Sequence, residues 1–264
     1  GYINPTVIIK PVSIGGVRIE RVTAYNAKFV VNNKLGKGAK VEIIRSGDVI
    51  PKINKVITPA KKIDLPKIKY HWNETEVDFI VDSMEGNKQI QIKNIHYFFS
   101  KLDTKGLGER IVEKLYDSGI DTILKVLKSK KEDFLKVEGF KEKSSQNLED
   151  SIKKSVSNVE LSTIFSASNK LGYGHGRERA KMILNVYPNI MTEYKKWSKE
   201  DFVSKISEIP QWDEKTSKQF VDNFPKFLKF YEEIKSYIKV KSVSKKPNNS
   251  MKNNNIFEKV FIFS

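Results

Sequence analysis

The first 58 positions of the chain alternate between apolar and polar residues with the two-residue period of β-strands. Turn sequences rich in glycine or asparagine separate four such segments, which are residues 6–9, 17–22, 28–31 and 40–45. Several short strands with regular turns predict a small β-barrel. Basic residues occupy alternating positions of these strands, which is compatible with either a nucleic-acid groove or a solvated face.

The pattern between residues 59 and 95 predicts a short β-hairpin. Residues 77–81 and 89–92 alternate or run apolar, and Glu85-Gly86-Asn87 forms the predicted turn between them. We expect Trp72 and Phe79 to lie in the core of this hairpin.

From residue 95 to about residue 237 the apolar spacing becomes helical. Gly106-Leu107-Gly108 precedes Ile111 and Leu115, which lie on one face of a predicted helix. Glycine permits positive φ and close approach of a ligand, and unpaired N–H groups at a helix N-terminus favour a phosphate. A Gly-x-Gly sequence before a helix is also an ordinary tight turn. The segment therefore predicts either such a turn or the phosphate-binding turn of a helix-hairpin-helix motif.

The same pattern recurs three more times, which favours the phosphate-binding interpretation. Gly139-Phe140-Lys141 keeps one glycine and adds a lysine. Residues 171–181 contain three glycines and several basic side chains, so we expect this copy to dominate the affinity for phosphates; His175 adds a charge there only if it is protonated. The fourth copy, around Trp212, has no glycine and two acidic residues, and we expect it to be structural. Four copies predict an all-α domain of tandem helix-hairpin-helix motifs.

The candidate phosphate contacts in these turns are backbone N–H groups of glycines and the side chains of nearby lysines and arginines. They are Gly106, Gly108, Gly139, Gly174, Gly176, Lys105, Arg110, Lys141, Lys143, Arg177 and Lys181. Contacts of this kind hold a nucleic acid without reading its sequence.

Composition and charge favour a polyanionic partner. The 264-residue chain has 48 lysines and arginines against 32 aspartates and glutamates, a net charge of +16. An AT-rich genome would also enrich lysine, so composition alone leaves both explanations open. The absence of cysteine excludes disulfides and thiolate metal sites, and with only three histidines we expect no zinc. No apolar run approaches the roughly 20 residues that cross a bilayer, so we expect an intracellular protein without a membrane partner.

Two segments resemble the OB-fold domain of bacterial-type NAD-dependent DNA ligases. They are residues 15–26, which end in Thr-Ala-Tyr-Asn, and residues 38–53, which contain Arg-Ser-Gly-Asp-Val-Ile-Pro. The family usually has histidine where this chain has Tyr25, so the role of that histidine is not carried over. A spacer and tandem hairpins follow in the family's order, and a metal-free segment replaces its four-cysteine zinc module. The opening of the chain also resembles the link that leaves the family's adenylation domain, as if cut from a longer protein.

The resemblance implies a multidomain protein with α and β parts. The expected divisions are an OB-fold domain at 1–58, a metal-free replacement of the zinc-finger module at 59–95, a helix-hairpin-helix domain with four hairpins at 96–238, a flexible linker at 239–255, and a segment resembling the first strand of a BRCT domain at 256–264.

By this resemblance the chain is the DNA-binding half of a ligase that seals nicks in duplex DNA during replication and repair. No Lys-x-Asp-Gly sequence occurs in it, so we expect no catalytic residue here and no activity of the chain alone. NAD and Mg²⁺ would be bound mainly outside this chain, by an adenylation domain in cis or on a separate chain. Such an enzyme would work in the cytoplasm or nucleoid, or at a host-cell replication site if it is viral.

Within the OB fold, we expect four residues to contact the DNA groove or its phosphates. They are Arg21, Asn26, Arg45 and Lys52. For each one taken singly, a solvated surface position is the competing explanation. Two other functions remain open: a non-catalytic OB and helix-hairpin-helix module of a repair or replication scaffold, and an RNA-binding translation or processing factor. A preference for nicked duplex over single strands would separate these classes.

Overall fold

A computed structural model describes residues 2–46, 50–82, 87–172 and 174–241, in which a β-rich part precedes an all-helical part. The strands are β1 (Tyr2–Ile3), β2 (Thr6–Ile14), β3 (Val17–Thr23), β4 (Lys40–Ser46), β5 (Ile50–Thr58), β6 (Tyr70–Trp72) and β7 (Phe79–Val81). The helices are α1 (Ala27–Asn32), α2 (Lys88–Lys101), α3 (Glu109–Asp117), α4 (Ile123–Lys128), α5 (Lys131–Phe134), α6 (Glu142–Ser155), α7 (Leu161–Ala167), α8 (Arg177–Val186), α9 (Ile190–Glu193), α10 (Lys199–Ser207) and α11 (Glu214–Ile234), with a 3-10 turn at Tyr194–Lys196.

The larger sheet has the strand order β2-β3-β5-β4. β2 with β3 and β4 with β5 are antiparallel, whereas β3 and β5 meet in parallel at the pair Thr23 and Lys52. In the part of the chain that the structure describes, β2 and β4 are the edges of the sheet, which is a half-barrel. Its small core contains Ile19, Val22 and Ile53, all nearly inaccessible to solvent.

The strands predicted at residues 6–9, 17–22 and 40–45 are confirmed as parts of β2, β3 and β4. The strand predicted at residues 28–31 is wrong, because these residues form α1. Asn26 caps this helix, its Oδ1 accepting a hydrogen bond from the Phe29 N–H at 2.8 Å. Ala27 and Val30 then face the core one turn apart. A four-residue apolar run fits a strand or a short helix equally well, so the capping residue was the informative signal.

The smaller sheet has the order β1-β7-β6, so its hairpin lies at residues 70–81. Phe79 is buried, with ring centroids 4.2 Å from Tyr70 and 4.3 Å from Trp72, while Trp72 keeps 36% of its surface exposed. Phe79 is therefore a core residue as predicted, whereas Trp72 covers it from the outside.

The hairpin predicted around Glu85-Gly86-Asn87 is wrong in its second strand. Residues 89–92 form the first turns of α2, because Asn87 Oδ1 accepts a hydrogen bond from the Ile90 N–H at 3.1 Å and caps the helix. Residues 83–86 themselves lie outside the described residues. Helical structure therefore begins at Lys88 instead of Ile95.

The helices from α2 onward share one hydrophobic core that extends from Ile92 to Ile238. Phenylalanines of three helices meet in it, with Phe98 of α2, Phe165 of α7 and Phe227 of α11 fully buried. Each such side chain contributes roughly 1.5–3 kcal/mol of burial free energy, so this core holds the intervening turns in place. Among the described helices, none has the length and hydropathy needed to span a membrane.

Candidate nucleic-acid interface

Four interhelical turns of the helical part share one backbone conformation. They are turn 1 (residues 102–108, before α3), turn 2 (135–141, before α6), turn 3 (168–176, before α8) and turn 4 (208–213, before α11). Each has a residue with positive φ, then a residue directed toward the core, then an extended residue that begins the next helix. The positive-φ residues that open these triplets are Gly106, Gly139, Gly174 and Gln211, at +77°, +84°, +85° and +69°.

The second residue of each triplet packs inward. These residues are Leu107, Phe140, His175 and Trp212; Phe140 is partly buried against the core and the other three are buried. The repeated turn therefore has an apolar anchor, and the sequence Gly-His-Gly in turn 3 is one more version of Gly-Leu-Gly in turn 1. His175 occupies an anchor position, so it does not add a surface cation to turn 3.

The third residue of each triplet decides whether the start of the next helix is covered. Gly108 and Gly176 have ordinary φ values of −71° and −76° and, having no side chain, provide no cap. In turn 4, Asp213 caps α11, its carboxylate accepting a hydrogen bond from the Thr216 N–H at 2.7 Å. Turns 1 and 3 therefore present helix N-termini without a side-chain cap, and the N-terminus after turn 4 is covered.

The glycine pairs have different roles from those the sequence suggested. In the Gly-x-Gly triplets of turns 1 and 3, the first glycine has positive φ and the second does not; Gly172, which precedes the triplet of turn 3, also has positive φ, at +98°. A Cβ added at Gly108 or Gly176 would meet no atom within 4 Å, so neither backbone conformation nor packing within the chain requires glycine there. A remaining reason for glycine at positions 108 and 176 is that a group outside the chain approaches the backbone closely there.

Several of the predicted basic side chains already have acidic partners. Lys105 Nζ lies 2.7 Å from Asp103, Arg177 Nη2 lies 2.8 Å from Glu160, and Lys181 Nζ lies 3.0 Å from Glu178. The hydrogen bond from Arg177 lowers the pKa of the Glu160 carboxyl, against the opposing effect of burial.

Three other predicted cations are more available. Arg110, Lys141 and Lys143 are exposed, and within the described ranges no acidic group lies close enough to form an ion pair with them. Lys141 also begins α6, where its N–H donates to Ser144 Oγ at 2.8 Å. Lys141 at the end of turn 2 and Lys143 in the first turn of α6 are therefore two lysines near the positive-φ Gly139 that have no ion pair among the described residues.

Turns 1 and 2 lie next to each other. Lys114 of α3 donates from Nζ to the Glu138 carbonyl at 3.2 Å. A cavity of about 320 Å³ between the two turns is lined by both positive-φ glycines, Gly106 and Gly139, and by Phe140. These two predicted phosphate-binding turns therefore face a common space.

Turns 3 and 4 are in contact through their anchors. The His175 ring stacks on Trp212 at 5.3 Å between centroids, and His175 Nε2 donates to Gln219 Oε1 at 3.2 Å. Burial lowers the pKa of His175 below its ordinary value; the bond to Gln219 opposes this shift and the charge of Arg179 adds to it. His175 is therefore neutral near pH 7. The Arg179 guanidinium lies 5.5 Å from the centre of the Trp212 ring.

In the larger sheet, Arg21 and Lys52 lie on one face. Arg21 is paired in register with Ile8, and Thr23, two residues further along β3, is paired with Lys52. Arg21 is exposed and Lys52 is half-buried, while Ile8 beside them keeps 75% of its surface exposed. This face therefore combines apolar and basic groups.

The structure does not place the other two predicted contacts of this domain, Asn26 and Arg45, as available side chains on that face. Asn26 is the cap of α1, a structural role that the sequence alone did not reveal. The side chain of Arg45 lies outside the described residues, although its backbone is in β4 opposite Pro51. In the part of the chain that the structure describes, no three histidine, aspartate or glutamate side chains are grouped to hold a metal ion.

Comparison with known proteins finds relatives among DNA ligases. Residues 1–64 match the family model of the NAD-dependent DNA ligase OB-fold domain. The chain is 37% identical over 234 residues to a protein named DNA ligase from Acanthamoeba polyphaga mimivirus, an alignment covering 89% of this chain and 37% of that protein.

Bacterial relatives give the same relationship. A DNA ligase of Nitratiruptor sp. is 37% identical over 186 residues, covering 66% of this chain and 28% of the relative. A DNA ligase of Clostridium botulinum strain Hall is 30% identical over 236 residues, covering 85% of this chain and 34% of the relative. The chain thus spans about a third of the length of these relatives.

Proposed function

The chain is homologous over most of its length to DNA ligases, and its residues 1–64 belong to the OB-fold domain family of NAD-dependent DNA ligases. From this premise we propose that the chain is the DNA-binding part of such an enzyme, which seals nicks in duplex DNA. The observation that carries the proposal is the conjunction of this OB-fold domain with four turns of one conformation. Each such turn is followed by a helix, as in a helix-hairpin-helix motif.

The four turns are proposed to act in two ways. Turns 1, 2 and 3 bind backbone phosphates through N–H groups at their glycines and at the starts of α3, α6 and α8, where the helix dipole favours an anion. Turn 4 is structural, because Asp213 covers its helix N-terminus and would repel a phosphate. Phosphate contacts of this kind position a duplex without reading its sequence.

The side chains make unequal contributions in this proposal. Among the described residues, Arg110, Lys141 and Lys143 have no acidic partner to release before they contact DNA. Lys105, Arg177 and Lys181 must first exchange a carboxylate for a phosphate, which reduces their net gain. On the OB-fold domain, Arg21 and Lys52 contact the groove or backbone from the exposed sheet face, and Arg45 is proposed to join them; Asn26 acts through its cap of α1.

The family also uses NAD and a divalent metal, and the residues of this chain do not fit either group. The sequence has no Lys-x-Asp-Gly nucleophile, and the described residues contain no acidic cluster for a metal. We therefore assign both cofactors to the adenylation domain of the complete ligase, and we expect the chain alone to be inactive.

Binding measurements with matched DNA substrates test the proposed binding to duplex DNA. Fluorescence anisotropy would compare nicked duplex, intact duplex and single strands of one sequence between about 50 and 200 mM salt. We expect duplex to bind more tightly than single strands, nicked duplex most tightly, and affinity to fall steeply with salt. Equal binding of single strands would contradict the proposal.

Charge-matched variants locate the contacts, and reconstitution tests the reaction. Lys141→Gln with Lys143→Gln should weaken duplex binding about tenfold, whereas Lys226→Gln with Lys229→Gln, the same charge change on α11, should have little effect. Nick sealing should require a ligase adenylation domain added in trans, together with NAD and Mg²⁺. Binding without any sealing in that mixture would favour the non-catalytic scaffold.

A further inference from the structure

Arg179 lies at the junction of turns 3 and 4. It belongs to the first turn of α8, is half-buried, and its guanidinium carbon lies 5.5 Å from the centre of the Trp212 ring. Its Nη1 lies 3.9 Å from the position that a Cβ on Gly174 would occupy. The guanidinium is therefore beside the positive-φ glycine of turn 3 and is supported by the anchor of turn 4.

Arg179 differs from the other two cations of α8 in its electrostatic surroundings. Arg177 and Lys181 are paired with Glu160 and Glu178 at 2.8 and 3.0 Å. Among the described residues, Arg179 has no ion pair within 4.0 Å. It is the cation of the first half of α8 that a phosphate could contact without displacing a carboxylate.

Asp213 is an acid close enough to be affected by the charge of Arg179, and its carboxylate already has another partner. Its carboxylate accepts the hydrogen bond from Thr216 that caps α11. That backbone hydrogen bond is the main cause of its lowered pKa, a second hydrogen bond from the Thr216 side chain also lowers it, and the charge of Arg179 is a smaller cause. Asp213 therefore already accepts hydrogen bonds from Thr216, and in the described part of the chain it forms no ion pair with Arg179 within 4.0 Å.

A guanidinium keeps its five N–H donors when it lies over an aromatic ring. Two of these donors match two phosphate oxygens in a bidentate contact. Lysine cannot reproduce this geometry, because its ammonium is a point charge on a flexible stem.

We propose that Arg179 is the principal phosphate-binding side chain of turn 3 and that Trp212 positions it. This inference rests on the proposed function, since the phosphate is that of the duplex. It also gives the glycine-free turn 4 a role: its anchor supports the guanidinium that its neighbour uses. Arg177 and Lys181 then contribute mainly to the structure of α8 and to the long-range field.

Three single substitutions test the assignment. Arg179→Gln, Arg177→Gln and Lys181→Gln each remove one positive charge from α8, so they are matched in net charge. We expect Arg179→Gln to weaken nicked-duplex binding about tenfold or more and the other two to weaken it less than about threefold. Arg179→Lys should recover only part of the loss. Equal effects of the three substitutions, or an unaffected Arg179→Gln, would overturn the inference and leave the proposed function standing.

Substitutions of Trp212 test the positioning role. Trp212→Phe keeps an aromatic face and should bind within about threefold of the unmodified chain, whereas Trp212→Leu should lose as much affinity as Arg179→Gln. In the double variant the two losses should not add, because both remove the same contact. Additive losses would overturn the role of Trp212. If Trp212→Leu fails to fold, Trp212→Met, which fills more of the buried site and also lacks an aromatic face, replaces it in the cycle with Arg179→Gln. Failure of the unmodified chain to bind duplex would overturn the proposed function and this inference together.

Discussion

Gly174 and Gly119 form a matched pair that separates backbone strain from phosphate binding. Their φ angles are +85° and +86°. A Cβ at Gly119 would meet no atom within 4 Å, and at Gly174 it would meet only Arg179, at an ordinary contact distance of 3.9 Å. Gly174 lies in turn 3, whereas Gly119 follows α3 outside all four turns. Alanine at either position therefore imposes the same conformation, and only one of them lies at the proposed binding surface.

The magnitudes follow from these geometries. A non-glycine residue in the left-handed region costs about 1–2 kcal/mol, and alanine recovers about 0.4–1 kcal/mol by restricting the unfolded chain. We expect each variant to lose about 0.5–1.5 kcal/mol of unfolding free energy, which is tolerable for a domain stabilised by about 5–15 kcal/mol. Alanine keeps the backbone N–H, but the methyl of Gly174→Ala should additionally keep a phosphate from reaching it. The lost charged hydrogen bond is worth about 1.5–3 kcal/mol, so binding should weaken at least about tenfold.

Urea denaturation would measure the first quantity and anisotropy with nicked duplex the second. Both variants should lose similar stability, and only Gly174→Ala should lose affinity for nicked duplex. Equal affinities of the two variants would refute the assignment of turn 3 as a phosphate site, whatever their stabilities.

Three further results are expected. Asp213→Asn keeps an oxygen that caps Thr216 and removes a negative charge near Arg179, so duplex affinity should rise about two- to fivefold at low salt; an unchanged or lower affinity would count against that electrostatic picture. The lowered pKa of His175 means that the unfolded chain binds a proton more readily, so stability should be full above about pH 6.5 and fall below it. His175→Leu, which copies Leu107, should flatten this dependence in denaturation experiments at different pH, and an unaltered pH profile would show that another group is responsible. Elemental analysis should find no stoichiometric zinc, and one zinc per chain would contradict the metal-free assignment.

The repeated turns were predictable because they depend on local rules. Gly106, Gly139 and Gly174 were expected at turns and all have positive φ. Each is followed by an inward residue and a helix, a pattern that needs no knowledge of distant residues. Turn 4 was found by its spacing and its tryptophan, although Gln211 adopts positive φ there without the freedom of glycine.

The sequence prediction fails for two reasons: a helix cap can override an apolar run, and tertiary contacts decide which side chains meet. The run at residues 28–31 is apolar enough for a strand, and the cap at Asn26 together with burial of Val30 makes it a helix. The contact of Arg179 with Trp212 joins residues from different turns, so no local pattern could reveal which cation of α8 lacks an acidic partner. Sequence spacing identified turn 3 as positively charged. Only the packing shows which of the cations beside it are paired with acidic residues.

The pairing of β1 with β7 has a consequence for how the chain folds. Tyr2 pairs with Ile80, and the segment between them contains the whole four-stranded sheet. During synthesis on the ribosome, β1 must therefore wait without its partner until β7 has emerged. Closing so long a loop is entropically costly, and we expect this pairing to form late, after the folding transition state. Substitutions that weaken it should then accelerate unfolding and leave the folding rate nearly unchanged.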